Sequence, residues 1–137
     1  IWEMTATDKS NEALKIAKLN TNNEINFYCG DWFDAVPDEK FDLIVSNPPY
    51  IDDHDPHLDN LKYEPLEALT SGSNGLDDIR IIINESPKYL KEGGYLLLEH
   101  GFNQQKEIIG LLKESFFNIN TYKDLNDIDR AVLAQYR

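Results

Sequence analysis

The sequence predicts an α/β fold, a largely parallel sheet with helices on both faces. Three observations carry that prediction. Short apolar runs alternate with stretches of helical spacing, the run at 41–46 is too continuously apolar for a half-exposed strand, and Gly, Pro or Asp closes most of the runs. With 137 residues and 41% hydrophobic content there is material for one ordinary globular domain, without low-complexity tracts.

The elements follow in order. Trp2 to Thr7 alternates weakly and ends at Asp8, which predicts a first strand. Asn11 to Asn20 places Ala13, Leu14, Ile16 and Ala17 at helical spacing, with Ser10 or Asn11 as the cap. Ile25 to Cys29 is a second strand, followed by Gly30-Asp31-Trp32-Phe33. Phe41 to Ser46 is a third, placed inside a parallel sheet by its continuous apolar character. From Ile51 to Gly75 no period is sustained; a loop of that length in a compact domain is usually functional, which predicts a substrate-facing excursion. Leu76 to Leu90 is helical through Ile79, Ile82 and Ile83, with Pro87 kinking or ending it. Gly93-Gly94 turns into a strand over Tyr95 to Glu99. Gln104 to Phe116 makes the last helix, and the segments around Ile119 to Tyr122 and Ala131 to Tyr136 close the sheet as an antiparallel pair.

Composition narrows the class. A single cysteine, Cys29, forms no internal disulfide and is read as a core thiol in a reducing compartment. No apolar run approaches the ~18 residues of a membrane span, and no basic-then-apolar signal segment opens the chain, so a cytoplasmic address and no membrane partner are expected. The formal charge of −12 leaves no basic stripe to neutralise phosphates, which argues against a direct nucleic-acid partner.

The most informative segment is Asn47-Pro48-Pro49-Tyr50, directly after the third strand. Two prolines fix their own φ and hold the preceding residue extended, so Asn47 is kept at the strand tip. The Asn47 side-chain oxygen and a proline carbonyl then form two acceptors suited to the two hydrogens of a planar NH2 group, and Tyr50 offers a flat face for it. The expected ligand is an amide or an exocyclic amine, whose delocalised lone pair needs aiming rather than a strong base. The plainer alternative is a strand terminator.

In a doubly wound sheet, ligands gather at the carboxyl ends of the strands, where Asp8, Asp31-Trp32 and Asn47 all stand. Asp8 suits the two hydroxyls of a ribose, Asp31 an adenine amine, and Trp32 or Phe33 the face of the base; taken singly, Asp8 is also a helix-capping acid and Trp32 a core residue. Asp52, Asp53, His54, Asp55 and His57 have ligand chemistry but the pattern of a solvated loop, and no metal is predicted. Glu99-His100, after the last parallel strand, has the chemistry of an acid–base pair; the plainer reading is that it orders the strand end.

Together, Gly30-Asp31-Trp32-Phe33, Ser46 to Ile51, Asp55-Pro56-His57-Leu58, Tyr63-Glu64-Pro65-Leu66, Gly94 to Gly101 and Asp127 to Arg130 resemble the protein-glutamine N5-methyltransferases that modify peptide chain release factors, the PrmC/HemK family. The resemblance runs nearly end to end. It implies a Rossmann-like class I S-adenosylmethionine-dependent methyltransferase sheet, with S-adenosylmethionine as cofactor and release factors as protein partners. The implied reaction is methylation of the side-chain amide of the glutamine in their Gly-Gly-Gln motif. Carried over by position, it implies Asp8 as the ribose acid, Asp31 and Trp32 beside the adenine, and Asn47, Pro48, Pro49 and Tyr50 as the catalytic amide clamp, with Asn47 also near the cofactor.

One departure stands out. The Gly-rich turn of the form Asp/Glu-x-Gly-x-Gly-x-Gly is absent, and Ile1 falls where the family has its second strand. Residues 1–137 are therefore expected to be a partial catalytic domain, lacking the first strand and the helical amino-terminal domain. The buried strand groups so left unpaired would each cost on the order of 1–3 kcal/mol, so cofactor binding by this stretch alone is expected to be weak or nil. Two rival readings remain at this stage: an N6-adenine DNA methyltransferase, which uses the same clamp on a flipped base, and a catalytically incompetent binding fragment.

Overall fold

A computed structural model describes residues 2–22 and 24–137. They form two compact units, Ile1–Glu39 and Lys40–Arg137.

In the first unit, β1 (Met4–Asp8) and β2 (Ile25–Cys29) pair in parallel, from Met4 opposite Ile25 to Asp8 opposite Cys29. The connecting helix α1 (Asn11–Leu19) packs on both. Its start is set by Ser10, an extended residue whose Oγ accepts from the Ala13 N–H at 3.2 Å. Glu12 in the first turn and Lys18 in the last complement the helix dipole. The expected apolar stripe is narrower than its spacing suggests: Leu14 is buried, whereas Ile16 is exposed. The first strand also begins at Met4, leaving Trp2 outside it and exposed.

The second unit holds β3 (Phe41–Ser46), β4 (Leu90–Glu99), β5 (Phe116–Lys123) and β6 (Asp129–Tyr136) in the order β3-β4-β6-β5. β3 and β4 run parallel; β6 is antiparallel to both β4 and β5. β3 has the expected bounds but not the expected surroundings. Among the described residues it pairs only with β4, so it is an edge strand, and Val45 is 63% exposed. Continuous apolar character records the side chains of a strand, not how many neighbours it bonds.

Three boundaries differ from expectation. α2 (Asp77–Glu85) stops before a 3-10 turn at Ser86–Lys88 that contains Pro87, and Leu90 already belongs to β4. Gly93 and Gly94 lie inside β4, at a register irregularity opposite Phe41–Leu43, rather than ahead of the strand. α3 (Gln105–Leu112) ends early because Phe116 opens β5, where it is fully buried.

The core follows from two periodicities. β4 alternates buried and half-buried residues through Leu96 and Leu98, both 0% exposed, while α2 buries Ile79, Ile82 and Ile83 on one face. α3 buries Ile108 and Leu112 and packs against β5, β6 and α2, where Arg80 and Glu107 form an ion pair. The β5–β6 turn is ordered by Asp124, which accepts from the Asn126 and Ile128 N–H groups and pairs with Arg130. The bond from the Ile128 N–H is the main reason its carboxyl lies below the usual range. Among the described residues no helix is long and apolar enough to cross a membrane.

Candidate functional site

The β3–β4 register places Ser46 opposite Leu98, so the two strands leave the sheet together. They deliver Asn47–Tyr50 and Glu99–Gly101 to the same end. Pro48 is buried, Pro49 and Tyr50 are half-buried, and Asn47 is exposed. The prolines anchor the backbone and leave Asn47 at the surface.

Tyr50 is held at both ends. Its hydroxyl donates to Glu99 Oε1 at 2.9 Å, and its carbonyl accepts from Gln104 Nε2 at 2.8 Å. Burial and the neighbouring Glu99 carboxylate push the phenol above its ordinary value. His100 is fully buried; Nδ1 lies 2.8 Å from the Gly101 carbonyl, which can only accept, so Nδ1 carries the proton. Nε2 meets no partner among the described residues. Arg130, whose neighbourhood also reaches Tyr50, bonds Asp124 and the His100 carbonyl.

The excursion from Ile51 to Gly75 is a loop with a closed base. Ile51 bridges to Thr70, its N–H donates to the Leu69 carbonyl at 2.9 Å, its own carbonyl accepts from the Ser71 N–H at 3.0 Å, and the Asp53 N–H donates to the Gly72 carbonyl at 3.1 Å. Within it lie two 3-10 turns, Pro56–Asn60 and Leu66–Ala68. Asp55 caps the first by accepting from the His57 N–H, and pairs with the His57 ring at 2.8 Å. These bonds hold the Asp55 carboxyl below its usual value. Tyr63 and Leu66 stand exposed on the loop.

In the other unit, Asp8 ends β1 and Asp31 stands just beyond β2, its parallel neighbour; both are exposed. Asp8 Oδ1 accepts from the Ser10 N–H at 2.7 Å, so the residue does serve the helix start, with one oxygen. The two strand exits are tied by the Gly30 N–H donating to the Asp8 carbonyl at 3.1 Å. Glycine is required there, since a Cβ at residue 30 would lie 2.5 Å from that of Ala35. Trp32 is half-buried at φ +43°, a left-handed conformation costly for an aromatic residue. Phe33 is buried, which leaves Trp32 as the ring able to cover a ligand. Cys29, expected in the core, is exposed with Sγ 3.6 Å from the Lys9 carbonyl, because β2 emerges into solvent at this end.

The predicted residues thus form two groups, each at the carboxyl ends of parallel strands in its own unit: Asp8, Asp31 and Trp32 in one, Asn47 to Tyr50 in the other. The family model for the methyltransferase small domain matches residues 2–72, a stretch that contains every one of them. The chain belongs to that family. Among relatives of this methyltransferase-domain chain, the release factor glutamine methyltransferase of Coxiella burnetii is 47% identical over 139 residues, covering 98% of this chain and 50% of that protein. The protein of the same name from Shewanella oneidensis is 40% identical, with the same coverage. The chain spans about half the length of the curated relatives it matches.

Solved structures share its α/β fold. A methyltransferase from Pyrococcus furiosus superposes with a TM-score of 0.69 at 18% identity, over 97% of this chain and 62% of that one. The N-methyltransferase NodS from Bradyrhizobium japonicum, in complex with S-adenosyl-L-homocysteine, gives 0.62 at 19% identity, over 98% and 66%.

Two supports of Tyr50 carry no sequence signal of that role: Gln104 has the pattern of a helix start, and Glu99, singled out with His100 at a strand end, gives no sign of its bond to Tyr50. Their partners lie 54 and 49 residues away, beyond the reach of any local pattern.

Proposed function

We propose that this chain carries the amide clamp and the nucleoside-binding acids of an S-adenosylmethionine-dependent methyltransferase acting on the Gly-Gly-Gln glutamine of peptide chain release factors. The observation that carries the reading is the Asn47–Tyr50 segment itself. It emerges from a parallel strand, leaves Asn47 exposed and is held through both ends of Tyr50. The likeness to proteins named release factor glutamine methyltransferase supports the choice of substrate.

The residues present fit the nucleoside half of the cofactor. Asp8 keeps one carboxylate oxygen beyond the one that accepts from Ser10, Asp31 is exposed on the adjoining strand exit, and Trp32 presents a half-buried ring. Ribose hydroxyls and an exocyclic amine are donors, and these groups are acceptors. When bound, S-adenosylmethionine supplies an electrophilic sulfonium methyl. Asn47 Oδ1 and the Pro48 carbonyl accept the two hydrogens of the glutamine NH2, which returns electron density to nitrogen and fixes the direction of its lone pair. Tyr50 packs beside the planar amide. Pre-organisation, rather than base strength, supplies the acceleration. The formal net charge of −12 suits a protein substrate better than a polyanionic one.

The test is peptide mass spectrometry on an unmethylated release factor incubated with S-adenosylmethionine and the full-length protein that carries this chain. One methyl on the Gly-Gly-Gln glutamine is expected, with at least a 100-fold loss of rate in Asn47→Ala. An unmodified glutamine despite bound cofactor refutes the reading.

A further inference from the structure

Gln104 is 6% exposed and stands at the residue preceding α3, yet its side chain makes no capping bond to that helix. It turns inward. Nε2 donates to the Tyr50 carbonyl at 2.8 Å, and is 3.2 Å from the Asn74 carbonyl and 3.3 Å from that of Gly75. Oε1 accepts from the Gly101 N–H at 2.8 Å. One primary amide therefore joins three stretches of chain: the end of the Asn-Pro-Pro-Tyr segment, the far end of the 51–75 loop and the exit of β4.

The packing leaves no slack around this node. A Cβ on Gly75 would fall 2.2 Å from the Tyr50 carbonyl oxygen and 2.8 Å from Gln104 Nε2; one on Gly101 would fall 3.1 Å from Gln104 Oε1. Backbone has been brought into contact with this amide from two sides. A carboxamide suits the position because it offers donors to the carbonyls and an acceptor to the Gly101 N–H. Glutamate would put a charged acceptor against three carbonyl oxygens, and Met would fill the space and bond to none of them.

We propose that Gln104 is a positioning residue for methyl transfer: its amide locks the base of the 51–75 loop onto the Asn47–Tyr50 segment and thereby sets where the substrate amide is held. This rests on the reading of Asn47–Tyr50 as the amide clamp. Gln104 touches neither substrate nor cofactor; it acts on Tyr50 and the loop. Its loss lowers the rate of the chemical step and changes cofactor affinity little, since Gln104 bonds to none of Asp8, Asp31, Trp32 or Asn47.

The experiment compares wild type, Gln104→Met and Gln104→Glu in the full-length protein by three measurements: single-turnover methylation of a release factor, S-adenosylmethionine affinity by calorimetry, and amide hydrogen exchange. Expected for Gln104→Met are a 10- to 100-fold slower turnover, of the size roughly 1 Å of misplacement produces, and a cofactor affinity within twofold of wild type. Exchange should be at least tenfold faster at Ile51, Asp53 and Ser71 and unchanged at Leu96 and Leu98. Gln104→Glu should be slower still. Turnover within twofold of wild type, or opening of the β4 amides together with the loop, would overturn the proposal, the latter by showing a role in folding only. Hydrogen exchange needs no substrate. Gln104-dependent protection of the loop in a protein that methylates no release factor would uphold the lock and refute the substrate reading alone.

Discussion

Gly75 and Gly93 have nearly the same backbone, φ +70° and +77°, in different surroundings, and their alanine variants separate conformational strain from steric clash. At Gly93 a new Cβ would find only the Gln135 Nε2 at 3.7 Å, an ordinary contact. Gly93→Ala should therefore cost only the left-handed conformation, about 1–2 kcal/mol. At Gly75 the Cβ would lie 2.2 Å from the Tyr50 carbonyl oxygen, a gap that must open by more than ~1 Å to reach van der Waals contact. That carbonyl is the acceptor of the Gln104 bond, so its displacement adds about 0.5–1.5 kcal/mol for the hydrogen bond. Gly75→Ala should then cost about 1.5–3.5 kcal/mol in all. Urea unfolding followed by far-ultraviolet circular dichroism is the assay, because both tryptophans, Trp2 and Trp32, belong to the first unit and the second contains none. Equal losses in the two variants would refute the reasoning, as would a Gly75→Ala protein that keeps wild-type stability.

Three other outcomes follow from the same geometry. The Tyr50 phenol is raised in the folded protein, so its contribution to stability is fully present below its ordinary pKa of 10.0 and is lost as pH rises through the folded value; the stability gap between wild type and Tyr50→Phe, from urea titrations between pH 8 and pH 11, should narrow above pH 10, and a gap that widens there contradicts the assignment. Ile79 is 0% exposed on the buried face of α2, so Ile79→Ala should lose about 2–5 kcal/mol by transfer and cavity terms together, read as a lower urea midpoint at unchanged m-value. Gly110 lies within α3 with nothing within 4 Å of an added Cβ, so Gly110→Ala should raise stability by roughly 0.5–1 kcal/mol in the same assay.

Where local pattern decides structure, the sequence was legible. β2 and β3 have the bounds that their apolar runs imply, α1 starts at the Ser10 cap, and the Asn-Pro-Pro-Tyr segment stands at a strand exit because prolines close strands. Legibility ended where distant pairing overrides local preference. Phe116 continues the helical spacing of Ile108 and Leu112, yet it is drawn into β5 opposite Tyr136. Gly93 and Gly94 read as a turn, but β4 already pairs with β3 at Leu90 and resumes at Tyr95, so the glycines fall at an irregularity inside the strand. The exposure of Cys29 and Val45 depends on which neighbours their strands find, a property no single segment encodes. In the site, the tetrapeptide announced itself and its supports did not: neither Glu99 nor Gln104 carries a local mark of its bond to Tyr50.

The distance along the chain between Tyr50 and its two supports has a consequence in time. On the ribosome Asn47–Tyr50 emerges before Glu99 and Gln104, by 49 and 54 residues from Tyr50. At about 5–20 residues per second the wait is roughly 2–11 s. Through that interval the segment has no phenol acceptor and no lock on its carbonyl, and the loop beyond it has no anchored base. The β5–β6 hairpin, by contrast, closes across a turn of a few residues as soon as both strands are out. The order of synthesis thus presents Asn47–Tyr50 first and its supports late, so a nascent chain stalled before residue 99 would display the tetrapeptide without either of the bonds that hold Tyr50.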